Sequence, residues 1–255
     1  MNTSLKRFID LVVVFTDKEM KVKYKSSILG YVWSIAHPLA LALVFFIAFK
    51  MIMRVQIEQY ALFLICGLFP WQWFSNSVNM SPTVFLSNAT IIKKVNFQRN
   101  VIPFVTVLQD MIHFLLSIIV ILIFMYIYGR SPSLSWIYGI PLLVIIQFMI
   151  TYGITLMIST INLFFRDMER LTVIFVTLMF YCTPIIYSES MIPEKYRIYV
   201  NLNPLAPLMI SWRQLFLEGT FNWVSILVSL GYSVGFLLLG TFIYKKLSWK
   251  FGEIL

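Results

Sequence analysis

TPIIYSESMIPEKYRIYVNLNPLAPLMISWRQLFLEG, residues Thr183–Gly219, fits neither lipid nor water. It is too apolar for an exposed connection, yet it holds four prolines and the charged residues Glu189, Glu194, Lys195, Arg197, Arg213 and Glu218. Its apolar pieces, Ile185–Met191 and Leu205–Leu217, are each shorter than the ~20 residues that a membrane-spanning helix needs. Irregular backbone survives at membrane depth only inside protein or beside a water-filled cavity. Pro184, Pro193, Pro204 and Pro207 break the stretch into short pieces. These features predict a re-entrant element that dips back among spanning helices, with Glu194 to Arg197 at its water-facing end.

The rest of the chain supplies those helices. Of 255 residues, 60% are hydrophobic and only 12% charged, and the mean hydropathy is +0.84. This composition belongs to an all-α polytopic membrane protein, a single transmembrane domain over 1–255. The apolar runs are continuous rather than alternating, which excludes a β-barrel. The net charge of +9 is explained by basic residues at the cytoplasmic ends of spans, so no nucleic-acid partner is expected. Cys66 and Cys182 sit within apolar runs and form neither a disulfide framework nor a metal spacing. The first residues do not read as a cleavable signal. The apolar core Leu11–Phe15 is short, with Asp10 before it and Asp17-Lys18-Glu19 after it.

Residues 4–25 read as an amphipathic helix lying in the membrane interface. Leu5, Phe8, Ile9, Val12 and Val13 mark its apolar face, and Lys21, Lys23 and Lys25 form a basic tail against anionic lipid. A six-span bundle over 27–244 follows. The spans are Ser27–Met53, Tyr60–Met80, Phe104–Tyr128, Trp136–Phe165, Leu171–Thr183 and Trp223–Tyr244, with the re-entrant region 184–219 between the last two. Pro70 and Gly67 predict a kink in the second span, where Trp71, Trp73 and Phe74 cluster. His37 suits helix packing or a ligand role. Asp110 and His113 lie three apart on one helical face, which suits polar glue between helices or a proton relay. Gly231 and Gly235 form a GxxxG face for close helix contact, with Gly240 beyond it.

Six spans put both ends of the chain on one side. With those ends inside, inner segments hold fourteen of the twenty basic residues and outer segments six, the bias expected of a cytoplasmic face. Two inner connections then carry charge. Residues 81–103 hold Lys93, Lys94 and Arg99, and the turn after the fourth span holds Arg166, Asp167, Glu169 and Arg170. The segment Asn88–Asn96 reads as one or two helical turns that press on a partner or on lipid.

Absent motifs narrow the function. The chain has no GxxxxGK[ST], HExxH, GxSxG or CxxC, so it holds no P-loop and none of these hydrolytic or redox signatures. No span carries an acid or lysine near its centre, as an ion-driven carrier normally does. Uphill transport would therefore draw energy from a partner, and no cofactor is expected on this chain.

Five motifs occur in order: KYKSSILGYVWSIAHPL (23–39), GLFPWQWFS (67–75), NATIIKKVNFQRNVIP (88–103), FFRDMERL (164–171) and TPIIYSESMIPEKYRIYVNLNPLAPL (183–208). Together they closely resemble the permease subunits of polysaccharide ABC exporters, the O-antigen, capsule and teichoic-acid group, over nearly the whole chain. The resemblance implies a multi-pass protein of the bacterial inner membrane, with both termini cytoplasmic and no enzymatic activity of its own. It implies a homodimer bound to a cytoplasmic ATP-binding subunit, where ATP and Mg would sit. The cargo would be a glycan on a polyprenyl-pyrophosphate lipid. By the same resemblance, Lys93, Lys94, Asn96, Phe97 and Arg99 would contact the ATPase, with Arg166 and Asp167 as a second contact. Pro184, Ile186, Tyr187, Pro193, Tyr196, Pro204, Pro207 and Leu208 would belong to an outer gate. Tyr60, Trp71, Trp73 and Phe74 would be glycan-channel contacts, since aromatic faces suit sugar CH surfaces, while most aromatics would face lipid or other helices. The chain departs from the family at Phe97-Gln98-Arg99-Asn100, where a Phe-Pro-Arg-Glu run is usual, which alters the turn and one charge. Two alternatives stay open: an exporter of drugs or lipids with the same fold, and a membrane-embedded glycan-processing enzyme.

Overall fold

The computed structural model describes residues 3–24 and 32–254. Every regular element among them is helical. In order these are α1 (Thr3–Tyr24), α2 (Val32–Phe45, continued by a π-helical stretch Phe46–Ile52), α3 (Tyr60–Met80), α4 (Val84–Ser87), α5 (Ala89–Lys94) and α6 (Val101–Ile127). Then follow α7 (Trp136–Asn162), α8 (Met168–Cys182), α9 (Glu194–Leu202), α10 (Ala206–Glu218), α11 (Trp223–Leu247) and α12 (Phe251–Ile254).

Among the described residues, three helices are long and apolar enough to cross a membrane: Val101–Ile127, Trp136–Asn162 and Trp223–Lys250. The other expected spans are helical but less decisive. α8 has 15 residues, short of the ~20 that a perpendicular crossing needs. The start of the first expected span, residues 27–31, lies outside the described residues, as do Lys25 and the side chains of His37 and Arg197. At the far end of that span Lys50 donates to the carbonyls of Val55 (3.4 Å) and Ile57 (3.0 Å). The ammonium thus closes the turn to α3, where Arg54 and Gln59 take left-handed backbone conformations.

α3 is the central helix. It is apolar on nearly every side and buried from Leu62 to Trp71 without a break, as a helix hydrophobic all round must be. The chain is therefore arranged around α3, with the stretch quoted first packed against it. α3 runs through Pro70 as one helix. Polar groups stitch it to its neighbours. Ser77 donates to Asp110 on α6 at 2.8 Å, and the Trp73 indole N–H donates to the carbonyl of Val107 at 3.2 Å. Asp110 thereby joins α3 to α6, the polar-glue reading of the Asp110–His113 pair.

α7 and α11 approach closely. A Cβ at Gly240 would overlap the carbonyl of Gly153, and one at Gly153 would overlap the backbone of Phe236 and Leu237. The sequence placed this contact at Gly231 and Gly235. A side chain at either of those would meet open space, so the bare-backbone seam lies one turn beyond Gly235.

Apolar side chains form two separate clusters. The large one surrounds α3. The small one gathers Phe15, Val84, Phe85, Ile92, Val101, Ile102, Val105, Leu163 and Phe251 at the end of the molecule where α6 begins and α7 and α11 finish. α1 joins it through Phe15, and Phe8 meets Phe104 edge to face. Ile9, Val13 and Val14 remain exposed, so α1 packs only part of its apolar face against the rest of the chain.

Candidate functional site

At the end holding the small cluster, α5 carries Lys93 and Lys94 in its last turn, where cations complement the helix dipole. Both are exposed, as is Asn96. Beneath them Ile92 is buried in the small cluster. This one short helix is therefore basic outside and apolar inside. Phe97 is half-buried, its ring 5.3 Å from that of Phe15. Arg99 turns inward: its Nη1 donates to the carbonyl of Ser248 at 3.1 Å. Lys18 of α1 donates to Asn88 at 3.1 Å, which ties the amphipathic helix to the same segment.

The second charged turn lies at the same end, because Asn162 at the close of α7 donates to the carbonyl of Pro82 at 2.7 Å. Arg166 and Asp167 are exposed. With Glu169 and Arg170 they rim a groove floored by Val173 and Ile174. Of the seven expected ATPase contacts, five are open to a partner and two, Phe97 and Arg99, are engaged within the chain.

The other end holds two short α-helices between α8 and α11. Ile185–Met191 forms an irregular connector and a single 3₁₀ turn, Glu189–Met191, rather than a helix. The charged middle forms the helix instead, as α9. It starts directly after Pro193, whose ring leaves a first-turn N–H unneeded. Glu194, Lys195 and Tyr196 are exposed there, as expected of the water-facing end. α10 begins around Pro207 and ends at Gly219, whose φ of +66° makes a left-handed cap that glycine adopts without strain.

Strong polar ties hold this region to the core. The connector is gripped by the Tyr60 hydroxyl, which donates to the carbonyl of Ile186 at 2.8 Å, and by Arg213, which donates to the carbonyl of Ile185 at 2.8 Å. Asn203 donates to the Thr183 hydroxyl at 2.9 Å and accepts from the Leu205 amide at 3.0 Å. The Gln147 amide donates to the carbonyl of Pro70 at 2.7 Å and accepts from the Trp212 indole. Arg213, counted with the outer charges from sequence, is instead a buried cation. Its guanidinium sits 3.8 Å from the centre of the Phe63 ring.

Burial distinguishes the members of two expected sets. Ile186 is 5% exposed and Leu208 0%, and Pro184 and Pro207 are also buried. In the single chain these side chains are covered by other helices. The exposed members of the expected gate are Pro193 and Tyr196, with Tyr187 and Pro204 half-buried. Likewise Tyr60, Trp71, Trp73 and Phe74, expected along a glycan channel, are 1%, 3%, 2% and 0% exposed. They build the core around α3: Trp73 stacks on Phe114, and Trp71 meets Phe74 and Phe180.

Sequence reasoning passed over Gln147, Ser248 and Phe251. Gln147 was legible as the one carboxamide inside the charge-free run from Trp136 to Ile161. Ser248 acts through its backbone, which no side-chain pattern announces.

Among the described residues, two exposed charged patches thus lie at one end of a bundle of apolar helices. The profile of the ABC-2 type transporter family matches residues 10–217. The chain belongs to the ABC-2 type transporter family. It is a permease subunit rather than an enzyme. Among curated relatives of this family, it is 50% identical to the O-antigen export system permease protein RfbA of Klebsiella pneumoniae, covering 100% of this chain and 98% of that one. It is 31% identical to the protein of the same name from Myxococcus xanthus, over 84% and 83% of the two chains. It is 25% identical to the polysialic acid transport protein KpsM of Escherichia coli, over 89% and 87%.

Proposed function

We propose that this ABC-2 permease is the membrane subunit of an ATP-driven exporter that moves O-antigen-like polysaccharide, carried on a polyprenyl-pyrophosphate lipid, out of the cytoplasm. The observation that carries this reading is 50% identity, end to end, to a permease named for O-antigen export. The exposed lysines of α5 and the Arg166–Asp167 groove support an ATP-binding partner at that end. Drug or lipid export and glycan processing are not favoured, since the curated relatives are named for polysaccharide transport.

In this reading the protein is a homodimer with α2, α3, α6, α7, α8 and α11 as its six spans and both termini cytoplasmic. Exposed apolar ridges support it, such as Leu171, Ile174, Leu178 and Tyr181 along α8, which water would not tolerate and lipid or a second copy would. The outer gate is α9, the exposed helix of this region, while the buried connector Ile185–Ile186 and α10 are its fixed support. The test is deletion of the gene. Polysaccharide should vanish from the cell surface and lipid-linked glycan accumulate inside, with both reversed by the intact gene. Unchanged surface polysaccharide would overturn the proposal.

A further inference from the structure

The segment that follows α11 folds back under the α5–α6 connection. α11 ends at Leu247, a 3₁₀ turn covers Ser248–Lys250, and α12 begins at Phe251. The carbonyl of Ser248, just past the C-terminus of α11, accepts the Phe251 amide within the 3₁₀ turn. Arg99 adds a second, charged donor at 3.1 Å, a cation where the helix dipole is negative. Phe251 is 0% exposed. Its ring is 5.0 Å from Phe85 and 5.9 Å from Tyr244, and the Arg99 guanidinium lies 5.9 Å from its centre. Phe251 thus touches α4 and α11 and backs the one arginine that closes the α5–α6 connection.

The charges divide accordingly. Lys93, Lys94 and Asn96 face outward, while Arg99 faces inward and is spent on the Ser248 carbonyl. An arginine held this way is a brace. It fixes the distance between the exposed lysines and the end of α11. α11 in turn meets α7 backbone to backbone at Gly240 and Gly153. Arg99 and the Ser248 carbonyl thus tie the α5–α6 connection to the end of α11, which packs on α7.

We propose that Ser248–Ile254 is a positioning element for the ATPase-facing surface: Phe251 and the Ser248 carbonyl hold Arg99, and through it set the Lys93–Arg99 segment that receives the partner. This rests on the reading of Lys93–Arg99 as the ATPase contact. Phe251 and Ser248 touch no nucleotide or glycan; they act through Arg99.

The test uses the full-length permease co-expressed and purified with its ATPase. Two quantities are read separately: the amount of ATPase bound, and the permease-stimulated ATP hydrolysis per bound complex. Phe251→Ala should lower the second about tenfold while the lysine face still retains the partner, as expected for loss of a buried aromatic anchor. A purely structural role would lower the yield of folded permease but leave the rate per complex unchanged. If Phe251→Ala does not accumulate, Phe251→Leu keeps the site filled but loses the ring contacts, and should lower the rate roughly threefold. Arg99→Ala combined with either variant should cost no more than Arg99→Ala alone, since the two residues act as a unit. An unchanged rate per complex in whichever variant folds overturns the proposal. Lys93→Glu with Lys94→Glu separates the two failures. If that pair leaves ATPase binding intact, the docking assignment itself is wrong. If it abolishes binding while the Phe251 variants behave as wild type, only the positioning role is wrong.

Discussion

Gly67 and Arg213 are matched to one another. The Nη2 of Arg213 occupies the space beside Gly67 so closely that a Cβ at 67 would lie 2.7 Å from it. The guanidinium is thereby pressed between the α3 backbone and the Phe63 ring while it donates to the carbonyl of Ile185. A cation inside a membrane bundle persists only when backbone carbonyls and ring faces replace its water. Among the described residues no carboxylate pairs with it.

A methyl group at 67 should therefore cost stability through Arg213. Gly67→Ala should destabilise by about 1–3 kcal/mol, the usual range for overpacking. In an Arg213→Met background the same substitution should cost much less, because the thioether chain moves aside. Thermal unfolding in detergent of the single and double variants checks this; equal costs in both backgrounds would break the link.

Gln147 bridges Pro70 and Trp212 across three helices. Gln147→Leu leaves the Trp212 N–H without its acceptor in the core. The expected loss is about 1–3 kcal/mol, read as a lowered unfolding midpoint, with ATPase binding at the opposite end unaltered.

The glycines of α11 should differ sharply. Gly240→Val drives a side chain into the Gly153 carbonyl and should prevent stable accumulation of the protein. Gly231→Ala and Gly235→Ala face open space and should change the stability of the single chain by no more than ~0.5 kcal/mol. Expression level and detergent monodispersity distinguish the sites. If Gly231→Ala and Gly235→Ala instead weaken self-association, that surface faces another copy.

Reversing the charge of α5 should act on association. Lys93→Glu with Lys94→Glu should weaken ATPase binding by roughly tenfold or more, and the wild-type complex should weaken as salt rises. Titration of purified components at two ionic strengths measures both effects.

Helix positions were legible wherever long apolar runs met turn residues. Tyr60–Met80 and Trp136 were read to the residue, and α5 fell within the expected turns. The charged connections were equally plain, because Lys93, Lys94, Arg166 and Asp167 interrupt long runs without charge. Function-bearing aromatics were not legible. Tyr60, Trp71, Trp73 and Phe74 have the composition of a sugar-contact surface, and the same composition fills a helix core. Only tertiary burial separates the two. Which pieces of Thr183–Gly219 coil into helix was not legible from hydropathy alone. The helix α9 starts after Pro193, and of Ile185–Met191 only Ile185 and Ile186 are buried. The glycine seam was displaced for a third reason. A GxxxG pattern marks where backbones are bare, but which bare turn meets a neighbour depends on where that neighbour's own glycine stands, here Gly153.

The two apolar clusters share no residue. In packing terms the chain has a core around α3 and a separately packed socket, joined by α6, α7 and α11. Whatever sequence drift adapts the socket to a changed ATPase, at Phe15, Phe85, Ile92 or Phe251, leaves the packing around α3 untouched. Relatives with different glycans and different motors would then be interconvertible by transplanting α1, α4, α5 and the segment after α11 as one set. Moving any of these alone would leave the other pieces facing mismatched neighbours.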